Sequence, residues 1–295
     1  MDLMDISILR IKEGAELSER YYQKPLTILY SGGKDSEVIL DLAKKSEVSF
    51  TVQHSHTTAD APETVYHVRN VFKTLESQGI KCEISYPHYR GGRTSMWNLI
   101  VQKALPPTRL IRYCCSILKE QHGKESVCVS GVRWAESTRR KNTRGILENI
   151  ASNIKNKIIL NNDNDDRRRL IERCQMKSKI MVNPIVDWSD EDIRAYICDS
   201  HIDINPLYKC GFKRVGCIGC PMANRKGRQF EFARYPRYKE MYIRAFGRML
   251  KERQRRGLSS NYNWQSAIDV YHWWIEDGIP SGQMSLFDDY VYDEY

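Results

Sequence analysis

The amino-acid sequence predicts an α/β fold, a parallel twisted sheet with helices on both faces, followed by a helical C-terminal region. Three observations predict it. Short apolar runs alternate with amphipathic helical patterns through the first half of the chain. Those runs are apolar nearly throughout, as strands covered on both faces must be. One of them, "LTILY", leads straight through "SGGKDS" into a helix.

Taken in order, Ile8, Leu9, Ile11 and Leu17 form the apolar stripe of an N-terminal helix within residues 1–24. A nucleotide-binding domain is expected over 25–222, with strands at "LTILY" (26–30), "VSFTVQHS" (48–55), "CEISY" (82–86) and "SVCVSG" (126–131). The helices between them are "SEVILDLAKK" and "PETVYHVRNVFKTLESQG". In such sheets ligands sit beyond the C-terminal ends of the strands, which is where Ser31 falls. Residues 141–180 turn to Asn, Asp and Arg with few large apolar positions, and predict an insertion or mobile surface segment. In "NPIVDWSDEDIRAYI", Ser189 is placed to cap a helix with Asp192 at its third position. Residues 223–280 read as helices rich in Arg, Tyr and Trp, and 281–295 as an acidic, solvated tail.

Lys and Arg number 46 against 37 Asp and Glu, a net charge of +9 that favours an anionic partner, either a phosphorylated small molecule or nucleic acid. No window holds the roughly 18 apolar residues of a membrane span, and the opening "MDLMDISILR" has acids where a signal peptide has bases, so a cytoplasmic protein without a membrane partner is expected. In a reduced compartment nine cysteines are metal ligands or reactive thiols before they are disulfides. Cys114 and Cys115 are adjacent; Cys210, Cys217 and Cys220 share one Gly-rich segment; Cys82, Cys128, Cys174 and Cys198 lie singly, as core residues do.

The strand–turn–helix at 26–42 predicts an anion site, because backbone N–H groups and the helix dipole converge there. Gly32 and Gly33 permit a phosphate nest, Ser31 and Ser36 add hydroxyls, and Lys34 adds charge. The Walker spacing is absent, which excludes a P-loop NTPase. The hexapeptide instead resembles the PP-loop of the N-type ATP pyrophosphatases and of the phosphoadenosine phosphosulfate (PAPS) reductase family. "TTADAPET" resembles a second element of that family, with His56 and Thr58 where its pattern has Asp and Gly. "SGVRWAESTRR", and "NPIVDWSDEDIRAYI" followed by "INPLY", resemble two more. The resemblance spans about residues 26–220 and implies a Rossmann-like, adenine nucleotide α-hydrolase-like sheet. It implies nucleotide-binding roles for Ser31, Gly32, Gly33, Lys34, Asp35, Ser36, Thr57, Glu63, Gly131, Arg133 and Arg139.

"YCCSILK" and "CGFKRVGCIGCP" offer two close pairs of soft ligands suited to zinc or an iron–sulfur cluster, and an adjacent pair bends more easily to a cluster than to one ion. The arrangement resembles the sulfonucleotide reductases that carry a [4Fe–4S] cluster, which implies Cys114, Cys115, Cys217 and Cys220 as ligands. The spacing of Cys210 to Cys217 resembles DNA phosphorothioation sulfurtransferases, so Cys210 is either a ligand or a redox thiol. In reductases of this family the attacking thiol lies in a C-terminal tail, and no cysteine follows Cys220.

The expected function is therefore ATP-dependent sulfur transfer, adenylating and pyrophosphate-releasing, with nucleic acid among the acceptors. Asp35 is expected to help hold Mg²⁺, Cys210 to act in catalysis, and a cysteine desulfurase to donate sulfur. Two alternatives stand beside it: a thioredoxin-assisted PAPS or APS reductase producing sulfite, and a non-catalytic regulator that binds nucleotide and DNA. "GQMSLFDD", with Gln283, Leu286 and Phe287, resembles the peptide by which bacterial proteins dock on the sliding clamp. The Arg and aromatic residues of 225–256 fit the same DNA context.

Overall fold

A computed structural model of the protein describes residues 2–120, 126–150, 158–160, 179–258 and 264–276. Cys174, the peptide with Gln283, Leu286 and Phe287, and the acidic tail lie outside the described residues. The chain divides into two compact units, the first made of Met1–Ser55, Pro62–Ser85 and His122–Val215, the second of His56–Ala61, Tyr86–Gln121 and Gly216–Tyr295.

The strands in chain order are β1 (Leu26–Leu29), β2 (Phe50–Ser55), β3 (Cys82–Ser85), β4 (His88–Tyr89), β5 (Gly92–Arg93), β6 (Val127–Val129), β7 (Leu147–Ile150), β8 (Ile158–Leu160) and β9 (Lys179–Val182). The first unit is built on a seven-stranded sheet in the order β3-β2-β1-β6-β9-β7-β8. Its β3-to-β9 portion is parallel, with Leu26 opposite Phe50, Thr27 opposite Cys128, and Val127 opposite Ile180. The fold class and the four strands expected from sequence are present.

Part of the expected insertion over 141–180 is sheet. β7 pairs antiparallel with both β9 and β8, extending the parallel sheet by an antiparallel edge. These strands span only four residues, "LENI", and three, "IIL", in a field of Asn, Asp and Arg, too short to show a period. β9, "KIMV", also went unread, although it occupies the sheet beside β6.

The helices are α1 (Leu3–Tyr22), α2 (Lys34–Lys45), α3 (Pro62–Ser77), α4 (Met96–Lys103), α5 (Tyr113–Leu118), α6 (Thr138–Thr143), α7 (Asp190–Asp199), α8 (Arg225–Arg234), α9 (Pro236–Arg255) and α10 (Ala267–Ile275). α1 starts at Asp2, whose side chain accepts from the Asp5 N–H at 2.7 Å. Its buried residues Ser7, Arg10, Ile11, Gly14 and Leu17 recur every three or four positions and face the sheet. Arg10 makes a bidentate pair with Asp187 at 2.8 and 2.9 Å, which ties α1 to the segment ahead of α7. The expected cap on α7 is present: Ser189 Oγ accepts from the Asp192 N–H at 3.1 Å, and Asp192 accepts from the Ser189 N–H at 2.7 Å. Leu26, Ile28, Ile39, Leu42, Leu75, Val127, Val129 and Ile180 are fully buried around the sheet.

In the second unit α4 packs on α9, which in turn packs on α8 and α10. An aromatic core holds them, with Tyr242 and Trp274 ring centroids 4.6 Å apart and Phe232 5.7 Å from Tyr242. Among the described residues no helix is long and apolar enough to cross a membrane.

Candidate functional site

The first unit carries the phosphate loop. β1 ends at Leu29, Gly32 turns the chain at a φ of +74°, and Gly33 caps α2. The loop amides are not bare, as the sequence led one to expect. The Gly33 N–H donates to Ser36 Oγ at 3.1 Å, Ser36 Oγ donates to the Gly33 carbonyl at 2.7 Å, and the Lys34 N–H donates to the Tyr208 hydroxyl at 3.0 Å. The fully buried Asn205 fixes the turn from behind, donating to the Gly32 carbonyl and to Thr64 Oγ1, each at 3.1 Å. Beneath the loop Glu37, buried in the first turn of α2, accepts from Tyr30 and meets His67 Nε2 at 2.6 Å. Burial and the charge of Glu37 push the Tyr30 hydroxyl far above its ordinary value, so it stays a donor.

Cations gather over this loop. Arg133, 3% exposed, donates from Nε to Asp35 Oδ1 at 2.8 Å and from a terminal nitrogen to Asp190 Oδ1 at 2.7 Å. Lys34 Nζ reaches the same Asp190 oxygen at 3.2 Å. Burial would raise the Asp190 carboxyl, but the hydrogen bond from Arg133 and the charges of Lys34 and Arg133 outweigh it and hold it below the usual carboxylate range. Burial lowers the Arg140 guanidinium and the fields of Arg214 and Arg144 add to the drop, while Glu136, with which it pairs, and Asp35 oppose it. Gly131 is a close-approach position, because a Cβ there would lie 3.1 Å from Asp35 Cβ and 3.2 Å from the Asp35 carbonyl carbon. Glu63 stands half-buried in the first turn of α3, while Arg139 is exposed on α6 with no partner among the described residues. Cys210 is exposed at the end of the 3-10 turn Pro206–Cys210 of this unit.

The second unit carries the thiols. Cys114 and Cys115 lie on α5, and Cys217 and Cys220 bracket a turn in which the Cys220 N–H donates to the Cys217 carbonyl at 3.2 Å. Asp60 forms an antiparallel bridge with Cys217, and the Ile218 N–H donates to the Ala59 carbonyl at 2.8 Å, so residues 57–60 line this turn. Thr57, expected at the nucleotide, has its hydroxyl engaged here: it donates to Asp60 Oδ1 at 2.7 Å and accepts from Cys217 Sγ at 3.2 Å. Thr58 holds a φ of +67°, strained for a β-branched residue, and its hydroxyl accepts from the Met96 N–H at 2.9 Å.

The four thiols feel one another. Cys114, hydrogen-bonded to Cys115 and buried, is pushed far up, with Cys220 and Cys217 adding to the rise. Cys115 is lowered to about 5 by that hydrogen bond, with Arg112 and Lys119 helping. Burial raises Cys217 to about 11. Lys119, solvent-exposed along its chain, is raised by Cys217 first and then by Cys220, Asp60 and Cys115, so its ammonium serves three of the four sulfurs. Arg112 donates to Cys115 Sγ at 3.4 Å, while its Nε is buried without a partner among the described residues. An orphaned donor beside a soft tetrathiol set with two nearby cations fits a sulfide-bearing anionic centre.

Sequence reading thus found the loop, Arg133 and the thiols, and passed over Asp190, Asn205, Tyr208, Arg112 and Arg214. The quoted "INPLY" held the signal for two of them, since an Asn before Pro at a turn is poised to hydrogen-bond backbone.

Residues 25–223 match the phosphoadenosine phosphosulfate reductase domain. An uncharacterized protein of Methanocaldococcus jannaschii is 25% identical over 268 residues, covering 85% of this chain and 54% of that protein. An adenosine 5'-phosphosulfate reductase of Rhizobium tropici is 39% identical over 51 residues, 17% of this chain and 28% of the reductase. The chain spans about half, or less, of the length of these relatives. Among solved structures, the phosphoadenylyl-sulfate reductase of Candida auris in its phosphate complex superposes with a TM-score of 0.40 at 16% identity, covering 73% of this chain and 93% of that one.

Proposed function

Since the chain belongs to the phosphoadenosine phosphosulfate reductase domain family, we propose that it is an enzyme of ATP-dependent sulfur transfer, holding an adenine nucleotide in its first unit and a [4Fe–4S] cluster in its second. The observation that carries the reading is that the second unit holds Cys114 and Cys115 on α5, Cys217 and Cys220 on one turn, and Arg112 donating to Cys115 Sγ at 3.4 Å. A cluster held by those four sulfurs would supply redox-capable iron. Arg112 and Lys119 offset the negative charge of the thiolates, and Thr57 orients Cys217.

In the first unit Lys34, Arg133, Arg140 and Arg214 stand against Asp35, Asp190 and Glu136, the last paired with Arg140, and the cations that remain in excess suit an anionic phosphate chain. The acceptor oxygen attacks the α-phosphorus, the α–β anhydride bond breaks, and pyrophosphate leaves into the cations of the loop. Asp35, on the first turn of α2, is placed to share Mg²⁺ with the phosphates once Arg133 turns to them.

A second reading, a reductase in which Cys210 attacks a sulfonucleotide, is favoured by the exposure of that thiol two residues from Tyr208, which touches the loop. Anaerobic holoprotein given ATP and acceptor, and separately PAPS or APS with reduced thioredoxin, separates the two by product: pyrophosphate for the first, sulfite for the second. Iron and visible absorbance measured on Cys114→Ala and Cys217→Ala test the ligand set, and full iron in both variants would overturn it.

A further inference from the structure

The helix α9 in the second unit presents two faces. Tyr242, Ala245, Phe246 and Met249 are buried, while Arg237, Met241, Arg244, Arg248, Lys251 and Arg255 follow one another at three- and four-residue spacing and are exposed. With α4 this exposed face forms a cavity of about 570 Å³, with Trp97, Met241, Arg244, Arg248 and Lys251 in its lining. Arg248 and Lys251 have no side-chain partner among the described residues, and Arg244 meets only Glu240, at 3.6 Å across two exposed groups. Trp97 is half-buried and held by edge contacts to Tyr242 at 4.8 Å and Tyr238 at 6.1 Å.

Arg244, Arg248 and Lys251 repel one another along about 10 Å of helix, with Glu240 beside Arg244 alone among the described residues to offset them. The anion that complements them carries regularly spaced charges. The cavity between them is apolar, walled by an indole, and of a volume that takes a flat ring. A strand that offers both phosphates and unstacked bases matches the two features together, whereas a paired duplex offers only its phosphates here.

We infer that the α4–α9 groove binds single-stranded nucleic acid, with phosphates on Arg244, Arg248 and Lys251 and a base against Trp97 and Met241. This deepens the proposed function by giving the chemical class of its sulfur acceptor, and rests on that reading for the chemistry but not for the binding.

The test uses full-length holoprotein without nucleotide and a fluorescent 12-nucleotide single strand, read by anisotropy across a salt series. Three phosphate contacts predict a log–log salt slope of about −2, and Arg248→Ala/Lys251→Ala is expected to bring it to about −0.7 with a loss of affinity on the order of tenfold. An abasic strand of equal length is expected to bind about fivefold or more weaker to the wild type. A ribonucleotide strand of the same sequence runs beside it, and variant-sensitive binding of either sugar supports the proposal. Both substituted residues are exposed, so iron content and the thermal transition stay at wild-type values. Equal binding by the double variant, equal binding of the abasic strand, or preference for anionic vesicles over either strand would each overturn the assignment. Such a failure alongside normal iron and ATP binding leaves the proposed chemistry standing, while full iron in both cysteine variants with strand binding intact removes the cluster assignment and keeps the groove.

Discussion

Replacing Gly219 by alanine tests whether the thiol turn is built against the aromatic core. Gly219 lies between Cys217 and Cys220 at a φ of +71°, and a Cβ there would stand 2.6 Å from Phe232 Cζ, 2.9 Å from Tyr242 Cε2 and 3.1 Å from Trp274 Cη2. Two costs follow. The left-handed conformation costs an alanine about 1–2 kcal/mol. The clash costs about 1–3 kcal/mol more, because the rings cannot step aside: the Tyr242 hydroxyl donates to the Ile218 carbonyl at 2.9 Å and Trp274 Nε1 to the Pro107 carbonyl at 2.7 Å. The sum, about 2–5 kcal/mol, is a large part of the 5–15 kcal/mol that a typical domain holds in reserve. Gly257→Ala is the control, since that residue has a φ of +64° with nothing within 4 Å of its Cβ and incurs the conformational cost alone. Urea unfolding of the anaerobic proteins measures both, and iron content is expected to fall only in Gly219→Ala. If the two variants lose the same stability, or Gly219→Ala keeps its full iron, the packing argument is wrong.

Asp190→Asn frees Lys34 and Arg133 and is expected to tighten pyrophosphate binding on the order of threefold, the half-exposed carboxylate being worth at most about 1 kcal/mol; weaker binding by calorimetry would instead make Asp190 a holder of metal. Because that carboxyl is held below its ordinary value, its stabilisation is present above pH about 4 and lost as pH falls through the lowered value, so the Asn variant is expected to show a flatter acid limb in thermal unfolding. Glu37→Gln cannot serve both Tyr30 and His67 as a carboxylate does and is expected to lose about 1–3 kcal/mol in urea, with no loss counting against a supporting role. Gly131→Ala pushes on the Asp35 backbone and is expected to weaken adenine nucleotide binding while leaving iron content unchanged.

Sequence alone reached the loop, the parallel strands and the thiols because each is written locally: a hexapeptide, an apolar run, a Cys-x2-Cys. What it missed is written in long-range contact. Tyr208 covers the Lys34 amide across 174 positions, Asp190 meets Arg133 across 57, and Thr57 meets Cys217 across 160. No spacing rule links such pairs before the chain folds. Thr57 shows the hazard: it opens an element read as nucleotide-binding and was itself assigned to the nucleotide, yet its hydroxyl accepts from Cys217 Sγ beside the isolated bridge between Asp60 and Cys217. The strands β7 and β9 were missed for the opposite reason, being local but only four residues each.

Asp190 also answers how Arg133, which the proposed function assigns to phosphate, can be 3% exposed. A buried guanidinium left without a partner costs about 3–5 kcal/mol, more than a loop of this kind can spare. Asp35 satisfies one edge of Arg133 and Asp190 another, while the Trp188 carbonyl accepts at 3.3 Å. The two acids differ in what it takes to remove them. Asp190 is 53% exposed and regains water as soon as it lets go, whereas Asp35 is 24% exposed and backed by Gly131. On the proposed function an incoming phosphate would therefore displace Asp190 first, and Arg133 would exchange one anion for another without passing through an unpaired state. On that argument the acid at the start of α7 is the side chain expected to yield, and the salt pair between Lys34 and Asp190 is the contact that the proposed nucleotide would break.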